Sequence, residues 1–146
     1  MKVFTDSSAY LSALILHDPN NKRALEVLAS IKTNKEEIIT SHAVLGEVLT
    51  VASQKYDRNK GTKFVEDIYE SGIDIILESS DLIKKALANF KKIKDKDVSW
   101  VDCYSFAIIE AYKIEKVFSF DRDFKKYSKA KILSWFPLYK SLHSLN

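Results

Sequence analysis

Short runs of β-branched and aromatic residues alternate with longer stretches of helical periodicity along the chain, and this alternation leaves few folds open. Five runs read as buried strands: Lys2–Thr5 and residues 37–40, 73–77, 116–120 and 131–135. Several lack strict apolar–polar alternation, as expected where a parallel sheet is covered on both faces. Helical spacing fills the gaps. Residues 7–16 form one predicted helix. Asp18-Pro19 then suits an N-cap and first helical position for a second, running to about residue 33, with Ala24, Leu25, Leu28 and Ile31 on its apolar face. Residues 41–56 place Val44, Leu45, Val48, Leu49, Val51 and Ala52 on one broad face. Residues 61–69 and 80–90 predict further helices, and Gly72 a helix stop. The stretch 99–114 has almost no polar face and is expected to be buried nearly all round. The pattern implies an α/β sandwich around a mainly parallel sheet.

Composition sets the outer bounds. A chain of 146 residues, 46% hydrophobic and 29% charged, suits a single domain over residues 1–146. Three glycines and two prolines argue against long linkers. The N-terminus meets a charge before any signal core forms, and no apolar run approaches the ~20 residues of a membrane span, so a soluble, cytoplasmic protein is expected. Cys103, the single cysteine, has no disulfide partner within the chain. A net charge of +3, from 23 basic and 20 acidic residues, permits a nucleic-acid partner without demanding one.

Four carboxylates carry the chemical argument. Asp6 closes the first predicted strand and Asp121 the fourth, and ligands of open parallel sheets bind beyond such strand ends. Asp102 lies in the first turn of the most apolar helix, where an ionised side chain is costly without a partner or cation. Glu47 sits at the edge of an apolar helix face. Each has a structural alternative. Asp6 suits an N-cap, Asp121 a turn before Phe124, Ser99-x-x-Asp102 a capping box, and Glu47 a solvated or lysine-paired position. Sharing one pocket, however, they would repel unless a cation neutralised them. Hard oxygen ligands select Mg2+ or Mn2+, and His17, His42 and His143 form no pair at zinc-ligand spacing.

The motifs are similar to those of a known family. Val3-Phe4-Thr5-Asp6-Ser7-Ser8-Ala9 resembles the opening of the PIN domain family, and Ser41-His42-Ala43-Val44-Leu45-Gly46-Glu47 its second motif. Asp95-Lys96-Asp97-Val98-Ser99-Trp100-Val101-Asp102-Cys103 resembles its third, and Phe118-Ser119-Phe120-Asp121-Arg122-Asp123-Phe124 its fourth. Within the family the chain most resembles the VapC-like toxins of toxin–antitoxin pairs. The resemblance implies a three-layer sandwich with a five-stranded parallel sheet in order 3-2-1-4-5, which sets the first strand beside the fourth. It implies that Asp6, Glu47, Asp102 and Asp121 form the catalytic and metal-binding site, converging on one or two divalent ions. Asp6 and Asp102 are the foremost ligand candidates. Ser119, where threonine is common, fits a polar position near the water network, and Asp123 is a further candidate or a helix cap.

The expected chemistry is metal-assisted hydrolysis of an RNA phosphodiester, with Glu47 orienting or deprotonating water or serving as a ligand. Arg122, Lys125, Lys126, Lys129 and Lys131 follow Asp121, and Lys91, Lys92, Lys94 and Lys96 precede Asp102, so an acidic pit would have basic rims. Cys103, in an apolar helix without a basic neighbour, reads as packing. The resemblance also implies an antitoxin partner and a homodimer, for which Tyr10, Leu14, Leu16, Phe136, Leu138 and Tyr139 are interface or core candidates. The alternatives are a free-standing RNA-processing nuclease of the same family and a non-catalytic RNA-binding module. Phosphoacceptor folds fit poorly, because the first strand leads into Asp6-Ser7-Ser8 in place of Asp-x-Asp.

Overall fold

The computed structural model describes residues 1–135. The elements run β1 (Lys2–Thr5), α1 (Ser7–Leu14), α2 (Asn21–Thr33), β2 (Glu37–Ser41), α3 (His42–Lys55), α4 (Arg58–Glu70) and β3 (Asp74–Ile76). They continue with α5 (Ser80–Lys92), α6 (Trp100–Ala111), β4 (Lys116–Phe118), α7 (Asp123–Tyr127), β5 (Lys131–Ile132) and a 3-10 turn, Leu133–Trp135. All strand pairs are parallel, in the order β3-β2-β1-β4-β5. The implied strand order is therefore the observed one, and β1 and β4 are neighbours, with Thr5 opposite Phe118.

The missing polar alternation has a simple cause. Successive residues of the central strands enter two different apolar layers. Val3 and Phe118 pack with Ala9, Ala24, Val27 and Ile31 of α1 and α2 on one face of the sheet. Phe4, Ile39 and Val117 pack on the other face with Val44, Leu45 and Val48 of α3 and with Tyr104, Ala107 and Ile108 of α6. Gly61 lets α4 approach α3, because a Cβ there would lie 2.7 Å from the Ala52 methyl. Gly72, at φ 82°, ends α4 as expected.

Four local expectations are corrected. The second helix begins at Asn21, not at Pro19. The Asp18 carboxylate is used within the turn, accepting the Asn20 amide at 2.8 Å, and Asn21 Nδ2 donates to the carbonyls of Ser12 and Ala13, fixing where α2 starts. The fourth strand stops at Phe118 instead of residue 120, because hydroxyls take over the backbone groups that would extend the ladder. The Ser134 hydroxyl donates to the Ser119 carbonyl, and the Phe120 amide donates to Ser8 Oγ. The fifth strand is only Lys131–Ile132 before the chain tightens into the 3-10 turn. Helix α6 is buried through its middle, whereas Trp100 at its start and Glu110 and Ala111 at its end are exposed.

Of the interface candidates, Tyr10 is core, Leu14 half-buried and Leu16 exposed, while Phe136, Leu138, Tyr139 and the tail 137–146 lie outside the described residues. Among the described residues no helix is long and apolar enough to cross a membrane.

Candidate active site

The site forms where β1 and β4 end. The Asp6 amide donates to the Phe118 carbonyl at 3.0 Å, which adds one rung to the ladder and holds Asp6 beside the turn after β4. Asp6 also caps α1, and Asp102 is the third residue of α6, so two helix N-termini face the same edge and favour negative charge there. Glu47, one and a half turns into α3, is half-buried and reaches the site through Ser7.

Hydroxyl groups join the acids. Asp6 Oδ2 accepts from the Ser8 hydroxyl at 2.9 Å and from the Ser119 hydroxyl at 3.1 Å. Ser7 Oγ donates to Glu47 Oε2 at 2.6 Å and lies 3.5 Å from Asp6 Oδ1. Ser119 Oγ in turn accepts the Asp121 amide at 3.0 Å, and Asp121 Oδ1 accepts the Asp123 amide at 2.9 Å. The capping box is also present. Ser99 Oγ accepts the Asp102 amide, and Asp102 Oδ2 accepts the Ser99 amide at 3.0 Å. The structural alternatives for Asp6, Asp102 and Asp121 therefore hold as local geometry, while the same three side chains gather at one edge.

Electrostatics separates this edge from ordinary capping. Asp6 is 2% exposed, and burial pushes its carboxyl up to about 6; Ser8 and Ser119 hold it down in part, and Glu47 adds to the rise. Asp102, at 7% exposure, is also pushed up to about 6, chiefly by burial and then by the fields of Asp6 and Asp121, against the lowering effect of its Ser99 bonds. Burial raises Glu47 as well; the Ser7 hydroxyl opposes the shift, and Asp102 and Asp121 reinforce it. Burial and then Asp121 raise Asp123. Each acid feels its neighbours, as like charges in one pocket must. Among the described residues, no lysine or arginine forms an ion pair with Asp6, Glu47, Asp102 or Asp121.

The donor set suits a hard divalent ion. One oxygen from each of Asp102, Asp121 and Asp123 lies within 4.8 Å of the other two, a spacing compatible with ligands about 2.1 Å from a common centre after slight closure. Asp6 and Glu47 fall outside this tightest group and connect to it through hydroxyls and charge. Asp123 opens α7 as its first residue, and its carboxylate lies beside that of Asp121, which raises it further. Sequence reasoning gave Ser7 and Ser8 no role; their only signal was their place directly after Asp6. Cys103 is a buried thiol raised by its burial, in keeping with packing. A cavity of about 800 Å3, bordered by Lys92, Lys94, Lys113, Glu115 and Lys129, lies at the opposite edge, where β4 and β5 begin; it contains none of the predicted carboxylates, and it draws Lys92, Lys94 and Lys129 of the expected basic rims away from them.

Comparisons with known proteins agree with this fold. A VapC ribonuclease of Archaeoglobus fulgidus is 28% identical over 128 residues, covering 85% of this chain and 80% of that protein. Among solved structures, VapC20 of Mycobacterium tuberculosis, described as a Sarcin-Ricin loop cleaving toxin, superposes with a TM-score of 0.78 at 22% identity, covering 88% of this chain and 98% of that one. VapBC2 from Rickettsia felis, bound to a DNA fragment from its promoter, gives 0.63 at 18% identity, with 90% and 97% covered. FitAcB from Neisseria gonorrhoeae gives 0.64 at 16% identity, with 94% and 100% covered. These structural likenesses establish the fold. The model of the PIN domain matches residues 3–130, nearly the whole described chain, and the protein belongs to the PIN domain family.

Proposed function

We propose that this protein is a divalent-metal-dependent ribonuclease, the toxin of a VapBC-type pair, with Asp6, Glu47, Asp102 and Asp121 as its catalytic and metal-binding residues and Asp123 as an added ligand. The supporting observation is the gathering of mutually repelling carboxylates, Asp6 and Asp102 buried and Glu47 and Asp121 half-buried, without a basic partner among the described residues. The likeness to the VapC ribonuclease and to VapBC2 supports an RNA substrate and an antitoxin partner. A cytoplasmic location and a homodimer belong to the same proposal.

Asp102, Asp121 and Asp123 would hold Mg2+ or Mn2+, with Asp6 and Glu47 completing the charge around it. The ion would supply Lewis-acid polarisation of a phosphoryl group and acidify water. The protein's own contribution is positional. Ser8 and Ser119 fix Asp6 in one orientation, and the capping box fixes Asp102. Glu47, its proton affinity raised by burial and its carboxylate held by Ser7, would orient the attacking water and accept its proton, or serve as a ligand.

The test incubates single-stranded and structured RNA with the protein in Mg2+, Mn2+ or EDTA, beside Asp6→Asn and Asp102→Asn. Metal-dependent cleavage that falls at least about 100-fold in both folded variants is expected. Equal cleavage by all three proteins would mean contamination and defeat the assignment. RNA binding without cleavage by the wild type would favour the binding-module alternative. Metal-dependent cleavage by a protein without an antitoxin gene beside its own would favour a free-standing nuclease.

A further inference from the structure

Four of the gathered acids each give up one oxygen to the protein. Asp6 shows this most fully. Its Oδ2 accepts the Ser8 hydroxyl at 2.9 Å, the Ser119 hydroxyl at 3.1 Å and, at 3.4 Å, the Ser8 amide. Both hydroxyls are themselves anchored, since Ser8 Oγ accepts the Phe120 amide at 3.0 Å and Ser119 Oγ the Asp121 amide at 3.0 Å. A hydroxyl that accepts a backbone N–H keeps its single proton for another acceptor, and a carboxylate is the strongest one in reach. The two serine oxygens, 3.1 Å apart, meet at this one carboxylate oxygen.

The same pattern recurs around the pocket. Ser7 Oγ lies a long 3.5 Å from Asp6 Oδ1 and donates to Glu47 Oε2 at 2.6 Å. Asp102 Oδ2 accepts the Ser99 amide at 3.0 Å, and Asp121 Oδ1 the Asp123 amide at 2.9 Å. One oxygen of each acid is left for a cation: Asp6 Oδ1, Glu47 Oε1, Asp102 Oδ1 and Asp121 Oδ2. Asp123 is the exception, its carboxylate set beside that of Asp121.

Denticity bears on which cation fits. Ca2+ takes about six to eight oxygens and often both oxygens of one carboxylate, whereas Mg2+ demands a near-octahedral set and keeps several waters. Acids held to one oxygen each supply few ligands, in fixed directions. Recruiting a second oxygen would break charge-assisted hydrogen bonds, at Asp6 those of both serines. We propose that this one-oxygen arrangement, set above all by Ser8 and Ser119 at Asp6, makes the site select Mg2+ or Mn2+ over Ca2+. This rests on the metal-dependent reading above and names the side chains that set its ion preference. Ser8 and Ser119 are positioning residues that act through Asp6.

The test follows Mn2+ on the full chain by electron paramagnetic resonance, because bound Mn2+ loses the sharp signal of the free ion, and adds Mg2+ or Ca2+ as competitor. In the wild type, Mg2+ is expected to displace Mn2+ at a concentration at least about tenfold below that of Ca2+. Ser8→Ala/Ser119→Ala releases Asp6 Oδ2 and should bring that ratio to within about twofold of one, whereas Ser119→Thr, which keeps a hydroxyl, should hold the wild-type ratio. Ser7→Ala, which frees only Glu47, should shift it less. Infrared spectra give a second readout: with Ca2+ the gap between the asymmetric and symmetric carboxylate stretches should narrow in the double variant, as two-oxygen ligation requires. Melting curves verify each fold, and Ser7→Ala and Ser119→Ala alone keep the test valid should the double variant unfold. A folded double variant that loses affinity for both competitors equally, so that the ratio stands, overturns the proposal and leaves the nuclease reading intact. A wild type that takes Ca2+ as readily as Mg2+ does the same. Selective Mn2+ binding by a protein that cleaves no RNA keeps the proposal and defeats the nuclease reading. RNA cleavage that persists in EDTA, by a protein that binds no Mn2+, defeats the metal site and the proposal with it.

Discussion

The two edges of the sheet treat their acids in opposite ways. At the edge where strands begin, carboxylates are matched: Glu36 pairs with Lys116 at the start of β4, and Asp74 at the start of β3 with Lys2 at the start of β1. At the edge where strands end, Asp6, Glu47, Asp102, Asp121 and Asp123 gather with hydroxyls and amides as their partners. The first edge is built for stability. The second is held in an electrostatically unfavourable state that folding alone does not require, which is the feature the proposed site rests on.

The largest test of this contrast lies in the strained edge. For a carboxyl raised from 3.8 in the unfolded chain to about 6 in the folded one, folding takes up protons between those values. Metal-free protein therefore loses this contribution as pH rises from about 4 through about 6, and the loss is complete above that. The double variant Asp6→Asn/Asp102→Asn escapes it. In EDTA at pH 7.5 it should be more stable than wild type by roughly 3–6 kcal/mol, about 3 from each acid at most, an advantage that shrinks towards pH 4; denaturant melts at several pH values measure it. A double variant less stable than wild type at pH 7.5 would mean that these acids are structural.

A smaller effect comes from the cation itself. Saturating Mn2+ at pH 7.5 should raise the melting temperature by several degrees, since a ligand at 100 times its dissociation constant adds about 2.7 kcal/mol. The rise should fade at pH 5, where Asp6 and Asp102 are protonated, and should be lost in the double variant. The matched edge gives the smallest effects. Glu36→Gln should cost about 1–2 kcal/mol, because the carboxylate of this largely buried pair is lost. Lys2→Ala should cost less than about 0.5 kcal/mol, because that pair is solvent-screened at 3.8 Å. Neither should alter RNA cleavage, and a loss there would blur the division between the edges.

The sequence exposes these features unevenly. The strand–helix alternation carries the α/β class directly, and the burial argument for Asp102 rests on the apolar helix around it. The adjacency of β1 and β4 came from the family resemblance, since short parallel strands have no local signal for their neighbours. Strand ends were overestimated at residues 119–120 because the groups that end β4 there, the hydroxyls of Ser8 and Ser134, are distant along the chain. The same distance hid the bridges made by Ser7 and Ser8. Asp123 is the weaker ligand candidate in the sequence, where a helix cap serves as well, and its spacing from Asp102 and Asp121 is what brings it into the group. Trp100 read as core because periodicity cannot tell the uncovered first turn of a helix from its buried middle.

The most direct test is a crystal of the full chain grown with Mn2+ near pH 7.5 and examined by anomalous scattering. A strong peak is predicted at the strand-end edge, touching oxygens of Asp102 and Asp121 and at least one of Asp6, Asp123 or Glu47. Mn2+ bound elsewhere, with these carboxylates left unliganded at saturating concentration, would contradict the account.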